Sequence, residues 1–326
     1  MTSTSSTSAI SGLWKRVDFA RRPYLPAIAV SLLLFALNGY LQPKTLRPLS
    51  MVADISTYLP LILLAVGQTY VVLVSDIDLS VGSCISLVNV VTVSVMAALG
   101  GGSGAIFAGI LVGLLVGMGC GALNGFCVAV LRFQPIVATF ASGIVFAGLA
   151  LWILPQAGLA APDAYWETYG ENLAGIPFVL WVLAGLALTV ALVARLVFLR
   201  SLLSVGGNMQ AAYLSGLPVP RLRISAYIIC GLFAAISALC LTGDTASGDP
   251  LLGAKMTLGS VAAVVLGGTA LSGGRGNPLG SIFGAIILGL IGSVVFFAGV
   301  PFEYQNLVQG LIVLAALAGG VSVARR

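Results

Sequence analysis

The chain has no histidine among its 326 residues. That excludes His-based catalysis and His-ligated metal sites. Charge is also scarce, at 8% of residues, where an ordinary soluble domain carries about 25%. Five cysteines (Cys84, Cys120, Cys127, Cys230 and Cys240) all lie in apolar runs and form no CxxC pair. They read as small buried hydrophobes. No GxxxxGK[ST] stretch occurs, so the chain has no phosphate-binding loop of its own. No HExxH, Ser/His or paired-acid helix motif appears either, which leaves no candidate catalytic residue and no metal site. The N-terminal "MTSTSSTSAISG" lacks the apolar core and small-residue cleavage site of a signal peptide, so the first helix is expected to be a retained span.

What is present is hydrocarbon. The chain is 59% hydrophobic with a mean hydropathy of +1.10. Apolar stretches of this length read as transmembrane helices. A soluble protein of this size could not hide so much apolar surface. The fold class is therefore an all-α polytopic membrane protein. Helices are required because lipid offers no partner for backbone N–H and C=O groups. Breaks in the apolar pattern give about ten spans, over 24–42, 52–74, 80–99, 104–130, 135–154, 176–198, 223–242, 257–271, 278–299 and 304–322. The expected organisation is a disordered, Ser/Thr-rich cytoplasmic tail over 1–23, a transmembrane domain over 24–322, and a cytoplasmic C-terminus over 323–326.

Lysine and arginine orient the bundle. With the N-terminus in the cytoplasm, twelve of the fifteen basic residues face inward and only Lys44, Arg47 and Lys255 face outward. The net charge of +5 then reads as topology and needs no nucleic-acid partner. Acids show the opposite bias: Asp54, Asp163, Glu167, Glu171, Asp244, Asp249 and Glu303 fall outside. The longest outer loop, about 155–175, carries Tyr165, Trp166 and Tyr169. Two readings are open for these aromatics, interfacial anchoring and docking of an external partner.

A weak internal repeat is visible. "IFAGILVGLL" (106–115) resembles "IFGAIILGLI" (282–291), and "FQPIV" from Phe133 resembles "YQNLV" from Tyr304. Five spans separate the copies, so they would run in opposite directions, as in an inverted five-helix repeat. Glycine is abundant, with 41 residues. Gly109, Gly113 and Gly117 fall four apart on one helix face, where small residues let backbones approach closely.

Between spans 6 and 7 lies the long connection 199–223, "LRSLLSVGGNMQAAYLSGLPVPRLR". Asn208 reads as an N-cap, "MQAAYL" as about two helical turns, and Gly216 as a left-handed terminator followed by Pro218. Met209, Ala212 and Tyr213 share a face. Such a helix either fills a groove in another protein or lies on the membrane.

Four blocks, "VGQTYVVLVSDIDLSVGS", "GALNGFCVAVLRFQPIVATF", "GGNMQAAYLSGL" and "VAAVVLGGTALSGGRGNPLGSIFGA", resemble the membrane permease subunits of bacterial ABC sugar importers. The ribose/xylose/galactoside type is the nearest group, and branched-chain amino acid permeases are related. The resemblance covers about residues 50 to 320. It implies a multi-pass protein of the bacterial inner membrane with both termini cytoplasmic. It implies a second permease subunit, identical or paralogous, and a periplasmic sugar-binding protein. It also implies a cytoplasmic ATPase that carries ATP and Mg, so that this chain binds no cofactor itself. The ATPase-coupling segment would be Gly207, Asn208, Met209, Gln210, Ala211, Ala212, Tyr213, Leu214, Ser215 and Gly216. The cargo implied is a monosaccharide. Another small solute, such as a branched-chain amino acid or an autoinducer, is the alternative. The family usually has Gly where Asp76 stands, and Glu is common where Met209 and Gln210 stand.

The polar residues inside the spans are the remaining candidates. Asp76 and Asp78, in "LVSDIDLSVGS", sit at the expected junction of spans 2 and 3. Asp78 or Ser80 would cap the third helix; alternatively, a broken helix there lines the pathway. Gln68, Asn89, Asn124 and Gln134 join the two aspartates as candidate pathway residues. Interhelical hydrogen bonding is the competing account for these amides and for Thr139. Proton coupling through the aspartates, as in a secondary transporter, is a third reading. Arg275, in a Gly-rich inner turn, reads as a membrane-side anchor.

Overall fold

The computed structural model describes the backbone of residues 24–324 and the side chains of residues 24–315. The expected tail over 1–23 and the last two arginines lie outside the described residues. Thirteen α-helices are described: α1 (Leu25–Leu41), α2 (Pro48–Leu73), α3 (Val81–Ala98), α4 (Ser103–Ala129), α5 (Pro135–Ile153), α6 (Asp163–Gly170), α7 (Phe178–Arg195), α8 (Val197–Gly207), α9 (Met209–Leu214), α10 (Val219–Thr245), α11 (Met256–Leu266), α12 (Pro278–Phe297) and α13 (Phe302–Ala324). Two small antiparallel ladders pair β1 (Leu159–Ala160) with β4 (Ser247–Gly248), and β2 (Asn172–Leu173) with β3 (Ile176–Pro177). Among the described residues, seven helices are long and apolar enough to cross a membrane: α2, α3, α4, α5, α7, α10 and α12.

Every expected span contains a helix, but three differ from expectation. The eighth, expected over 257–271, is α11 with 11 residues. At about 1.5 Å per residue it covers roughly half of a hydrocarbon core about 30 Å thick. It stops because Gly267 and Gly268 turn the chain, Gly268 at φ +85°. Hydropathy could not show this, because the apolar run continues through the turn. The sixth span bends at Leu196, and helix resumes as α8 inside what was expected to be loop. The seventh begins at Val219 instead of 223. Pro220 stands in the first turn, where a missing N–H leaves no helical bond unmade.

α3 is the most deeply buried of the spanning helices, and α10 packs along α4, α2 and α3. The α4–α10 seam is made of backbone. A methyl group on Gly117, Gly121 or Gly125 would overlap Gly231, Tyr227 or Ile224 of α10 respectively. Gly109 and Gly113 sit instead against Met96 and Thr92 of α3. The glycine stripe therefore serves close packing, the main attraction left between helices in lipid. On the opposite face of α4, Phe107, Leu111 and Leu115 point outward and are exposed. The repeated stretches fall on α4 and α12. Each half of the chain interrupts helix at the same point in its order, between its second and third spans.

At one end of the bundle, α6 is fastened by its aromatics. The Tyr165 hydroxyl donates to the Leu239 carbonyl at 2.8 Å. Tyr169 is buried against Gly243 and lies edge-on to Phe178 at 6.1 Å. Burial raises both phenol pKa values, so both hydroxyls stay protonated. These two tyrosines fasten α6 to the bundle. Trp166 is partly exposed and bonds to Asp163.

Candidate functional site: two helix breaks and a cleft

The first break runs from Val74 to Ser80. α2 ends at Leu73, and Ser75 turns the chain at φ +69°. Five non-helical or capping residues then lead into α3. Inside a membrane such backbone needs partners from the protein. Thr139 of α5 accepts from Leu79 N–H at 3.0 Å, and the Gln68 amide of α2 donates to the Asp78 carbonyl at 3.2 Å. Asp78 itself accepts from the Ser80 N–H at 2.8 Å and the Ser80 hydroxyl at 2.7 Å. The chain of bonds continues outward. The Asn124 amide donates to Ser80 Oγ at 2.7 Å, and Ser142 donates to Asn124 Oδ1 at 2.6 Å. Asp78, Asn124 and Gln68 are all buried.

Capping differs from expectation. Ser80 occupies the N-cap of α3, but its side chain makes no cap bond. Asp78 takes the N–H of the N-cap residue itself, closing a local side-chain turn rather than capping the helix interior.

The second break runs from Ala246 to Lys255. Ala246 closes α10 in a left-handed conformation at φ +53°. Asn89 of α3 bonds this segment twice and the end of α10 once. Its amide donates to Thr242 Oγ1 at 2.7 Å and to the Ser247 carbonyl at 3.1 Å, and its oxygen accepts from Asp249 N–H at 2.7 Å. Further in, Gly253 N–H donates to Ser86 Oγ at 3.0 Å. There the second break meets the first turn of α3. Gly82 N–H donates to Thr257 Oγ1 at 3.1 Å, and a methyl on either Gly82 or Gly253 would overlap the other's carbonyl.

At the other end of the bundle from α6, a cleft of about 780 Å³ opens beside α9. Asp76, Arg132, Gln134, Met209, Tyr213 and Arg223 are among its lining residues. Asp76 and Arg223 form an ion pair at 2.8 Å, and both are largely buried. α9 is capped as its sequence indicates: Asn208 Oδ1 accepts from Ala211 N–H at 2.9 Å, and Gly216 has φ +82°. Of the expected shared face, Ala212 is buried inward while Met209 and Tyr213 are exposed. Leu214 projects further still. Arg275 is exposed on the neighbouring Gly-rich turn.

The candidate pathway residues thus divide by place. Gln68, Asp78 and Asn124 share the first break, Asn89 holds the second, and Asp76 and Gln134 line the cleft. Sequence reasoning missed Arg223, Ser142, Ser86 and Thr257. Arg223 had been counted only as a topology signal, and nothing local distinguishes the three hydroxyls. No cluster of three or more acids or cysteines suited to a metal ion lies among the described residues.

Comparison with known proteins identifies this architecture. The family described as "Branched-chain amino acid transport system / permease component" matches residues 50–317. The chain belongs to this permease family. Its relatives include the ribose import permease protein of Bacillus subtilis, 32% identical over 291 residues, covering 87% of this chain and 88% of the relative. The L-arabinose ABC transporter permease protein of Azospirillum brasilense is 29% identical over 308 residues, covering 94% and 88%. The autoinducer 2 import system permease protein of Yersinia enterocolitica is 32% identical over 293 residues, covering 89% and 80%. No solved structure matches the permease.

Proposed function

We propose that this permease is the membrane subunit of an ABC importer for a monosaccharide, seated in the bacterial inner membrane with both termini cytoplasmic. A separate ATPase carries ATP and Mg and grips the segment Gly207 to Gly216. A binding protein delivers cargo to the α6 end. The observation that carries this reading is α9: a side-chain-capped helix that holds itself in place through Ala212 and presents Met209, Tyr213 and Leu214 to a partner. The arginines beside it support placing that end in the cytoplasm. The names of the relatives support a sugar cargo.

The pathway runs between this chain and a second permease, identical or paralogous. Within one chain Gln68, Asn89, Asn124 and Asp78 are bonded to backbone and to neighbouring side chains, which leaves these four little with which to hold a sugar. The same bonding argues against proton coupling: Asp76 is neutralised by Arg223, and Asp78 is embedded in donors.

The test is uptake in proteoliposomes holding the permease, its ATPase and its binding protein, with labelled pentoses, hexoses, branched-chain amino acids and autoinducer 2. Sugar uptake that requires ATP and the binding protein is the expected result. Uptake of only an amino acid or the autoinducer would reassign the cargo. Uptake by the permease alone under a proton gradient would overturn the importer reading.

A further inference from the structure

Asp76 and Arg223 lie 147 residues apart, yet meet in a two-pronged pair. Arg223 Nε donates to Asp76 Oδ2 at 3.0 Å, and Nη2 donates to Oδ1 at 2.8 Å. Asp76 is 3% exposed and Arg223 13%. Their positions in the chain matter. Asp76 belongs to the first break, two residues before Asp78. Arg223 stands one turn into α10, just after α9 and the Gly216 turn.

The segment before α9 is fastened to the same place by other means. Ser75 Oγ lies 3.0 Å from the Gly206 carbonyl and 2.8 Å from the Ser272 carbonyl. Gly274 N–H donates to the Leu73 carbonyl at 3.0 Å, and Gly206 packs so closely on that carbonyl that a Cβ could not fit. The flanks of α9 are therefore both attached to residues 73–76. One attachment is backbone contact and the other is a guanidinium–carboxylate fork.

We propose that the Asp76–Arg223 pair is a positioning link that carries displacement of α9 into the first break, and so sets how much transport accompanies each ATP hydrolysed. The proposal rests on the importer reading. A bidentate fork fixes angle as well as distance, so it transmits rotation where a single contact would slip. A buried ion pair is a poor source of net stability compared with a neutral replacement. Its role here is geometric.

The test uses the complete importer in proteoliposomes, with ATP hydrolysis and cargo uptake measured side by side. The variants are Asp76→Asn with Arg223→Gln as a double, and the charge exchange Asp76→Arg with Arg223→Asp. The double leaves no unpaired buried charge, so membrane level and melting temperature are expected to stay near those of the parent. Hydrolysis is expected to continue while uptake per ATP falls about three- to thirty-fold. The exchange is expected to recover part of that loss. A double variant with parental uptake per ATP would overturn the proposal. So would one in which abundance, melting temperature, hydrolysis and uptake all decline in proportion, the mark of a scaffold role. A parent complex without ATP-dependent uptake would overturn the importer reading first, and this proposal with it.

Discussion

The segment before α3 and the segment before α11 both interrupt helix beside the same buried helix, yet they are held by different chemistry. The first is held by side chains converging from three other helices: Gln68 of α2, Asn124 of α4, and Thr139 and Ser142 of α5. It contains two buried carboxylates. The second is held by backbone pairing of β4 with β1, and mainly by α3, through Asn89 and Ser86. Its one acid, Asp249, is only partly buried. The difference teaches that the first break is a junction of helices, and the second is a strap lying along one of them. Disturbing the first should reach the whole bundle, while disturbing the second should stay local.

Four substitutions test this contrast, in falling order of effect. Gly253→Val strikes the point where the second break abuts the first turn of α3. Its side chain must displace the Gly82 carbonyl, and a destabilisation of about 3 kcal/mol is expected. The measurement is the unfolding midpoint in lipid nanodiscs. Next comes Asn124→Leu, which removes the donors to Ser80 Oγ and the Asp78 carboxylate and leaves Ser142 only the Thr139 carbonyl. Each buried group left unpaired costs about 1–3 kcal/mol. Loosening should also appear by hydrogen exchange in α2 and α5.

Asn89→Ala removes two bonds to the strap and one to Thr242 in the last turn of α10. A loss of about 1–2 kcal/mol is expected, with faster exchange confined to residues 246–255 and the β1–β4 ladder. If exchange also rises in α2 and α5, the contrast between the breaks is wrong. Smallest is Asn208→Ala, whose side chain bonds only within α9. Losing the cap costs about 1 kcal/mol locally. It should leave the unfolding midpoint almost unchanged and weaken ATPase capture in a pull-down titration.

Much of this was legible beforehand, for identifiable reasons. Spans follow from apolar run length, so each of the ten regions contains helix. α9 was readable because its cap, its left-handed glycine and its following proline are local signals. The breaks were only half readable. Asp76 and Asp78 advertised the first, since charge is costly in lipid. The second is written in glycine and leucine, "ASGDPLLGAK", which looks like any outer loop. The ion pair was invisible, because no local pattern links positions 147 apart. Gln68, Asn89 and Asn124 lie inside the bundle, while Gln134 is exposed at the N-cap of α5. The partners of the three buried amides are backbone atoms of the breaks and distant side chains, which single-sequence reading cannot pair.

The α4–α10 seam has a mechanical consequence. Where Gly117, Gly121 and Gly125 bring one main chain against another, no side chain remains to change rotamer or roll. Two helices in that relation cannot slide by small steps. They travel together as a single strut, or they part altogether. Any rearrangement of helices in this permease is therefore expected at other seams. α5 is tied to the strut and to the first break through Thr139 and Ser142, which leaves the weakly buried α7, packed on α2 and α8, as the span with most room to move.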